Sequence, residues 1–262
     1  MKIGELLGIG NTARVYQWGN TEVIKIFYDP SFALYEAQKA ELINSLKLRA
    51  PEYSGLVEYE GKTGLIYEKI DGHTMLWNIE ASEQSMSYNA KLMANLQYEI
   101  HQVKNTMPSN LKPVIIHRIN QSQDISNPDK QKITDIMNSL PDGNSICHYD
   151  LHPDNIIMSP NGPIIIDWMN LLVGSEEADV TRTSMMLQSE SLPPNAPEWL
   201  NHRELRGLFN KEYLAEYMKL TGMKDDFLEQ WMIPTLAVRI DEMQGEYKQE
   251  VVDKMQLRLN DR

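Results

Sequence analysis

Cysteine is nearly absent: Cys147 stands alone in 262 residues, so no disulfide framework can form and a small cross-linked secreted module is excluded. Long apolar runs are missing too. Stretches such as Ile156 to Met158 and Pro163 to Ile166 fall far short of the ~20 residues that a membrane-spanning helix needs. The N-terminal MKIGELLGIGNTARVY holds no apolar segment followed by a small-residue cleavage site. A reducing, cytoplasmic setting with no membrane partner is therefore expected. Basic residues are outnumbered, 25 Lys plus Arg against 37 Asp plus Glu, for a net charge of -12. Nucleic acid is not an expected partner, because binding it requires clustered cations that displace counterions from phosphates. No internal repeat or low-complexity tail is found. What is present is an apolar fraction of 42%, enough for one large core or two modest ones of unequal size.

The first part of the chain has the pattern of strands. Lys2 to Gly8 and Thr12 to Trp18 flank a Gly-bearing turn, and Gly19-Asn20 leads into Thr21 to Tyr28, which together predict a three-stranded meander. Asp29-Pro30-Ser31 supplies a turn and a helix cap, after which Leu34, Ala37, Leu42 and Leu46 share a helical face until Pro51. Leu56 to Glu60 and Thr63 to Ile70 read as a hairpin around Gly61-Lys62. Past Asp71-Gly72 the helical period takes over. Met86, Ala90, Met93, Ala94, Gln97, Ile100, His101 and Lys104 mark one helix, and Ile133, Ile136, Met137 and Leu140 mark another that ends at Pro141-Asp142-Gly143. Ser145 to Tyr149, Ile156 to Met158 and Pro163 to Asp167 are short strand candidates, with Asn161-Gly162 as a tight turn. From Glu176 onward the pattern is mainly helical, interrupted by Pro193, Pro194, Pro197 and Pro234. The expected class is α+β, with an N-terminal lobe over residues 1–69 and a larger lobe over residues 70–262.

Catalytic-type residues crowd His148-Tyr149-Asp150-Leu151-His152-Pro153-Asp154-Asn155 and the following Ile164-Ile165-Ile166-Asp167-Trp168. Polar loops between apolar strands hold side chains on rigid supports. Three readings compete. In an extended segment His148, Asp150 and His152 alternate onto one side, as a zinc hydrolase requires, but His73, His101, His117 and His202 form no comparable cluster. Alternatively, the Asp, Asn and His side chains only cap turns. The third reading is phosphoryl transfer, in which a loop Asp faces the attacking hydroxyl, an Asn five residues later binds magnesium, and an Asp after the next hairpin bridges metal and phosphates. Asp150, Asn155 and Asp167 have this order, and their oxygens suit a hard cation. That chemistry also calls for a Gly-bearing turn over the phosphates, a strand Lys and a helical Glu to hold it. Gly8-Ile9-Gly10-Asn11-Thr12-Ala13-Arg14-Val15, Lys25 and Glu36 supply them, with Glu41 as the alternative partner of Lys25.

With these motifs in the same order, the chain resembles the aminoglycoside phosphotransferase and choline kinase group of small-molecule kinases. The likeness rests on His148 to Ile156 and on Ile165-Ile166-Asp167-Trp168. It implies a two-lobed protein-kinase-like fold, a small antiparallel sheet with one helix followed by a mainly helical lobe. Asp150 would be the catalytic base, which orients the hydroxyl rather than stripping it. Asn155 and Asp167 would be the magnesium ligands. Gly8, Gly10 and Val15 would line the nucleotide, Lys25 would contact its phosphates with Glu36 as partner, and Tyr67, Glu68 and Ile70 would form the hinge against adenine. ATP, with GTP as the alternative, and Mg2+ are the implied cofactors. The implied acceptor is the hydroxyl of an aminoglycoside, amino-alcohol or sugar. The Asp167-Trp168 pair, where a protein kinase has Asp-Phe-Gly, looks like the small-molecule branch, and two departures stand out: Ala13 occupies the place of a third glycine, and the helix after Asp167 is not distinctive enough to name a subfamily.

From Glu176 to the end, 17 Asp plus Glu face 11 Lys plus Arg, which would attract a cationic acceptor. Trp168, Trp199 and Trp231 offer either an aromatic wall or core packing. Asp179 is expected to tie its helix to the catalytic loop, Cys147 to be core, His148 and His152 to brace the loop, and Asp154 to be solvated. The reading from another class is a nucleotide-binding module that has lost catalysis and acts through partners.

Overall fold

In the computed structural model, residues 3–10, 12–103, 105–193, 195–224 and 226–261 are described. Lys2, Asn11, Lys104 and Pro194, which the sequence assigns to a strand, the Gly-bearing turn, a helix and a helix break, lie outside them. Strands β1 (Ile3–Ile9), β2 (Ala13–Trp18) and β3 (Glu22–Phe27) precede helix α1 (Pro30–Leu46), the hairpin β4 (Tyr53–Tyr59) and β5 (Lys62–Glu68), and the short β6 (His73–Thr74) and α2 (Met75–Asn78). Next come α3 (Glu83–His101), α4 (Leu111–Gln121), α5 (Asn127–Ser139), β7 (Ser145–Cys147), β8 (Ile156–Ser159), β9 (Gly162–Ile165) and β10 (Leu172–Gly174). Helices α6 (Glu176–Leu187), α7 (Glu198–Asn201), α8 (Arg203–Thr221), α9 (Asp226–Ile240) and α10 (Gly245–Asn260) complete the chain. Packing sorts these into two compact units, residues 1–78 with 153–171, and residues 79–152 with 172–262.

The first unit is built on a five-stranded antiparallel sheet in the order β1-β2-β3-β5-β4. Its strands are those the β-branched runs predict. The β4–β5 turn is Glu60-Gly61, both left-handed with φ 50° and 73°, one residue earlier than the expected Gly61-Lys62. One sheet face carries Ala13, Phe27 and Leu65 against Ala33 and Ala37 of α1. The opposite face holds Trp18, Ile24, Ile26 and Ile66. Helix α1 turns a different stripe inward from the one its leucines suggest: Ala33, Glu36, Ala37, Ala40 and Ile43 are buried, whereas Leu34 is 59% exposed. Small alanines let the helix approach the sheet closely, and Glu36 turns inward with them because a cation on β3 awaits it.

From sequence the lobe division falls at residue 69, yet 70–78 and 153–171 pack with the first unit. The cause is strand pairing: His73 and Thr74 lie opposite Met158 and Ile157, and Gly72, at φ 144°, sits so near that an added Cβ would meet the Met158 carbonyl at 2.5 Å.

In the second unit α3 packs on α8 through the predicted stripe from Met86 to His101, with Asn89 and Leu96 buried as well. Helix α4 and strand β10 are absent from the sequence reading. β10 pairs with β7, whose predicted extension to Tyr149 stops at Cys147 because Tyr149 is left-handed, with φ 61°. Likewise β9 ends at Ile165, short of the left-handed Asp167. Pro234 lies inside α9 without ending it.

Candidate active site

Lys25 sits mid-strand on β3, opposite Val15 of β2 and Leu65 of β5, so its side chain emerges on the face that α1 covers. Its ammonium donates to both carboxylate oxygens of Glu36, at 3.0 and 2.8 Å, and to Asp167 Oδ1 at 3.0 Å. Tyr67 adds a hydroxyl to Glu36 Oε1 at 2.9 Å. Lys25 and Glu36 side chains are 14% and 5% exposed, against 46% for Asp167. Burial alone would pull the Lys25 pKa down, but the Asp167 and Glu36 carboxylates outweigh it and the value is raised. For Glu36 burial wins, pushing its carboxyl upward despite Lys25. Burial, together with Glu36, also raises the Tyr67 phenol. Glu41, the alternative partner, is exposed, and Glu36 is the α1 carboxylate that takes the Lys25 ammonium.

The β8–β9 hairpin brings two further candidates to one end. Asn155 immediately precedes β8 and Asp167 follows β9, and the Ile166 amide donates to the Asn155 carbonyl at 2.9 Å. The turn after Asp167 is fixed by Lys39 of α1, which donates to the carbonyls of Met169 and Leu171 at 2.6 and 2.8 Å. Asp154 is not simply solvated: its Oδ1 accepts from the Thr74 hydroxyl at 2.7 Å.

At the Gly-bearing turn, Gly8 lies opposite Val15 and the Gly10 amide donates to the Ala13 carbonyl at 2.9 Å. An added Cβ would find its nearest neighbour 3.9 Å away at Gly8 and 3.6 Å away at Gly10. The fold itself therefore tolerates a side chain at either place. In the hinge segment, the amides of Glu68 and Lys69 are taken by the carbonyls of Glu52 and Thr21, both at 2.8 Å, and Ile70 follows, half-buried.

In the second unit the loop carrying Asp150 hangs from α6. Asp179, fully buried, accepts the His148 amide at 3.1 Å, the Tyr149 amide at 2.7 Å and His101 Nε2 at 3.0 Å, as the sequence leads one to expect of it. Burial pushes its carboxyl up, yet the hydrogen bond and charge of His101 overcome this and the pKa is lowered. His101 in turn meets the Tyr217 hydroxyl through Nδ1. Asp150 is partly exposed, with Oδ1 3.4 Å from Arg182 Nη2.

The alternation behind a zinc site on His148, Asp150 and His152 is broken by the left-handed Tyr149. The cluster of metal-capable side chains among the described residues is instead His101, Cys147 and Asp179, all buried, and burial raises the Cys147 thiol well above its ordinary pKa. Trp168, Trp199 and Trp231 are at most 6% exposed and serve packing. Lys39 and Arg182 escape sequence reasoning, and Tyr67, expected in the hinge, has a tie to Glu36 that the sequence does not foretell, because a strand Tyr and helical Lys and Arg carry no signal that separates a buried tie from a surface group. No helix among the described residues is long and apolar enough to cross a membrane.

Comparison with known proteins gives one family and one fold. The model of the phosphotransferase enzyme family matches residues 68–217. Choline kinase LicA from Streptococcus pneumoniae is similar with a TM-score of 0.62 and 17% identity, over 100% of this chain and 94% of that one. Aminoglycoside phosphotransferase APH(4)-Ia gives 0.67 and 14%, over 99% and 93% of the two chains. The GDP and kanamycin complex of APH(2")-IIia gives 0.59 and 16%, over 100% and 95%. No curated protein matches the chain. The structural likenesses establish the protein-kinase-like fold, a small antiparallel sheet followed by a helical part. Since the matched segment covers more than half of the sequence, the chain belongs to the phosphotransferase enzyme family.

Proposed function

We propose that the protein is an ATP- and magnesium-dependent kinase that moves the γ-phosphoryl group to a hydroxyl of a small molecule in the cytoplasm. The observation that carries this reading is the tie of Lys25 to both Glu36 and Asp167, which fixes a cation beside the Asp167 carboxylate just after β9. Lys25 contacts the phosphates, Glu36 and Tyr67 hold it, and Gly8, Gly10 and Val15 lie along the nucleotide. The absence of any steric demand for glycine at Gly8 and Gly10 fits a turn kept bare for close backbone approach to phosphate. Glu68 and Ile70 offer backbone groups to adenine. Asn155 and Asp167 would hold magnesium, for which hard oxygens are the right donors; when bound, the ion neutralises charge on the phosphates.

Asp150 receives the acceptor hydroxyl and aims its oxygen at the γ-phosphorus. In a loose transition state the proton leaves late, so alignment matters more than basicity. GTP is the alternative donor, since solved structures of this fold carry ADP with hygromycin B or GDP with kanamycin. The acceptor is taken to be an aminoglycoside, amino-alcohol or sugar, a cationic one being favoured by the acidic surplus after Glu176. The test is ADP or GDP release with kanamycin, hygromycin B, choline, ethanolamine and glucose in turn. Asp150→Asn is expected to lower turnover by roughly 10² to 10⁴ with nucleotide affinity unchanged. Full turnover in that variant would refute the assignment.

A further inference from the structure

Phosphoryl transfer as outlined leaves unused a charged side chain at the centre of the second unit. Arg182 of α6 is 1% exposed. Its Nε donates to the Tyr149 carbonyl, and its Nη2 lies 3.4 Å from Asp150 Oδ1 and 3.0 Å from each oxygen of Glu242. The guanidinium carbon stands 4.8 Å from the centre of the Tyr149 ring. Glu242, in the turn between α9 and α10, is held in addition by Arg239 Nη1 at 3.0 Å, with Arg118 Nη1 at 3.9 Å. Burial favours the neutral form of Arg182, but Glu242 and Asp150 more than compensate and its pKa is raised.

A buried guanidinium is an expensive way to fill space, since its desolvation is recovered only with good geometry and a full set of partners. Here Nη1 has no hydrogen-bond partner among the described residues, so the set is incomplete, but the partners of Nε and Nη2 have a pattern. Tyr149 is held left-handed, a conformation uncommon for a bulky residue, and its peptide groups are gripped from both sides by one helix: Asp179 takes the amide and Arg182, three residues on, takes the carbonyl. Asp150 is the next residue, and the same guanidinium meets its carboxylate.

We propose that Arg182 is the positioning residue of the catalytic loop. It sets the direction of Asp150 by clamping the Tyr149 carbonyl and the Asp150 carboxylate together, and Glu242 is the counter-charge that keeps the guanidinium in that pose. The proposal rests on the reading of Asp150 as the group that receives the acceptor. Arg182 touches no reacting atom and acts through Asp150. Lysine cannot reproduce it, because a single ammonium does not span the separate directions of Nε and Nη2.

The experiment compares the full chain with Arg182→Lys, Glu242→Gln, Asp150→Asn and the doubles Arg182→Lys/Asp150→Asn and Glu242→Gln/Asp150→Asn. ADP release from MgATP is followed with the best acceptor of the panel, or with water where no compound raises the rate, alongside nucleotide affinity and thermal melting. Arg182→Lys should lower kcat about 10- to 100-fold and Glu242→Gln about 3- to 10-fold, each with nucleotide affinity within about twofold of wild type. In the Asp150→Asn background either change should lower kcat by less than about twofold, because the group they position is already gone. A loss in that background as large as in wild type, or unchanged kcat in both single variants, overturns the proposal. Should Arg182→Lys fail to fold, Glu242→Gln and its double decide by the same comparison. Full turnover in Asp150→Asn would remove the catalytic assignment itself, whereas loss there without loss in the other single variants removes only the positioning role.

Discussion

Replacing Lys25 by Met would strand a carboxylate. The ammonium supplies Glu36 with two hydrogen bonds, and its removal leaves the Tyr67 hydroxyl as the remaining side-chain donor to Glu36 among the described residues. With Glu36 only 5% exposed, breaking such a buried pair costs ~3–5 kcal/mol. Asp167 is nearly half exposed, so its share is screened and adds about 1 kcal/mol at most. Proton uptake limits the loss. Burial already holds the Glu36 carboxyl above its ordinary value, and without the cation it rises further. A carboxyl whose folded pKa exceeds the unfolded value of about 4.3 leaves stability intact below that value and removes it as pH climbs through the folded value. Lys25→Met should therefore lose about 3 kcal/mol at pH 7.5 and less than about half of that at pH 5. Adding Glu36→Gln, which stays neutral, should recover about 2 kcal/mol at pH 7.5. Urea unfolding followed by circular dichroism at both pH values measures all three variants. A double variant no more stable than Lys25→Met, or a loss independent of pH, would show that Glu36 is not the stranded group.

Other outcomes follow from the same geometry. Gly10→Ala should change stability by less than about 0.5 kcal/mol while weakening nucleotide binding about tenfold, as titration calorimetry would read. Equal affinity would detach that turn from the phosphates. Asp179→Asn should destabilise by about 2–4 kcal/mol, because an amide cannot accept from two backbone amides and His101 together. The lowered pKa of Asp179 gives stability that is present above the ordinary carboxyl value of about 3.9 and lost as pH falls through the folded value. The acid limb of the wild-type stability profile should accordingly flatten in the variant, and an unchanged limb would refute this. Gly72→Ala, forced against the Met158 carbonyl at positive φ, should cost about 3 kcal/mol, and a melting temperature equal to wild type would contradict the close approach.

The meander, the hairpin and the long stripe of α3 were legible because their apolar residues follow the strand or helix period. The phase of α1 was not. Its large apolar residue Leu34 points outward while alanines and Glu36 point in, and hydrophobicity alone ranks leucine as the buried one. Helix α4, with Pro113 near its start, and the three-residue β10 are too weakly marked to be seen without their partners. In the candidate site, the pairing of Lys25 with Glu36 was legible from residue type and order, and Asp150, Asn155 and Asp167 were singled out because their residue types suit the proposed chemistry. The supports could not: Tyr67, Lys39 and Arg182 gain their roles from neighbours far away in the chain, and a charged helical residue looks the same in sequence whether it is buried or wet.

Residues 153–171 pack with the first unit although the chain enters and leaves them from the second. The polypeptide therefore passes from one unit to the other three times, after residues 78, 152 and 171. Neither half is a continuous stretch of gene. A fragment ending at residue 78 would lack β8, the pairing partner of β6, and Asp167, the partner of Lys25. Grafting the first 78 residues of a relative onto this chain would make foreign strands pair with the resident hairpin, so substitutions around Gly72 and Met158 are bound to change together, and recombination at a single point can succeed only where they already match.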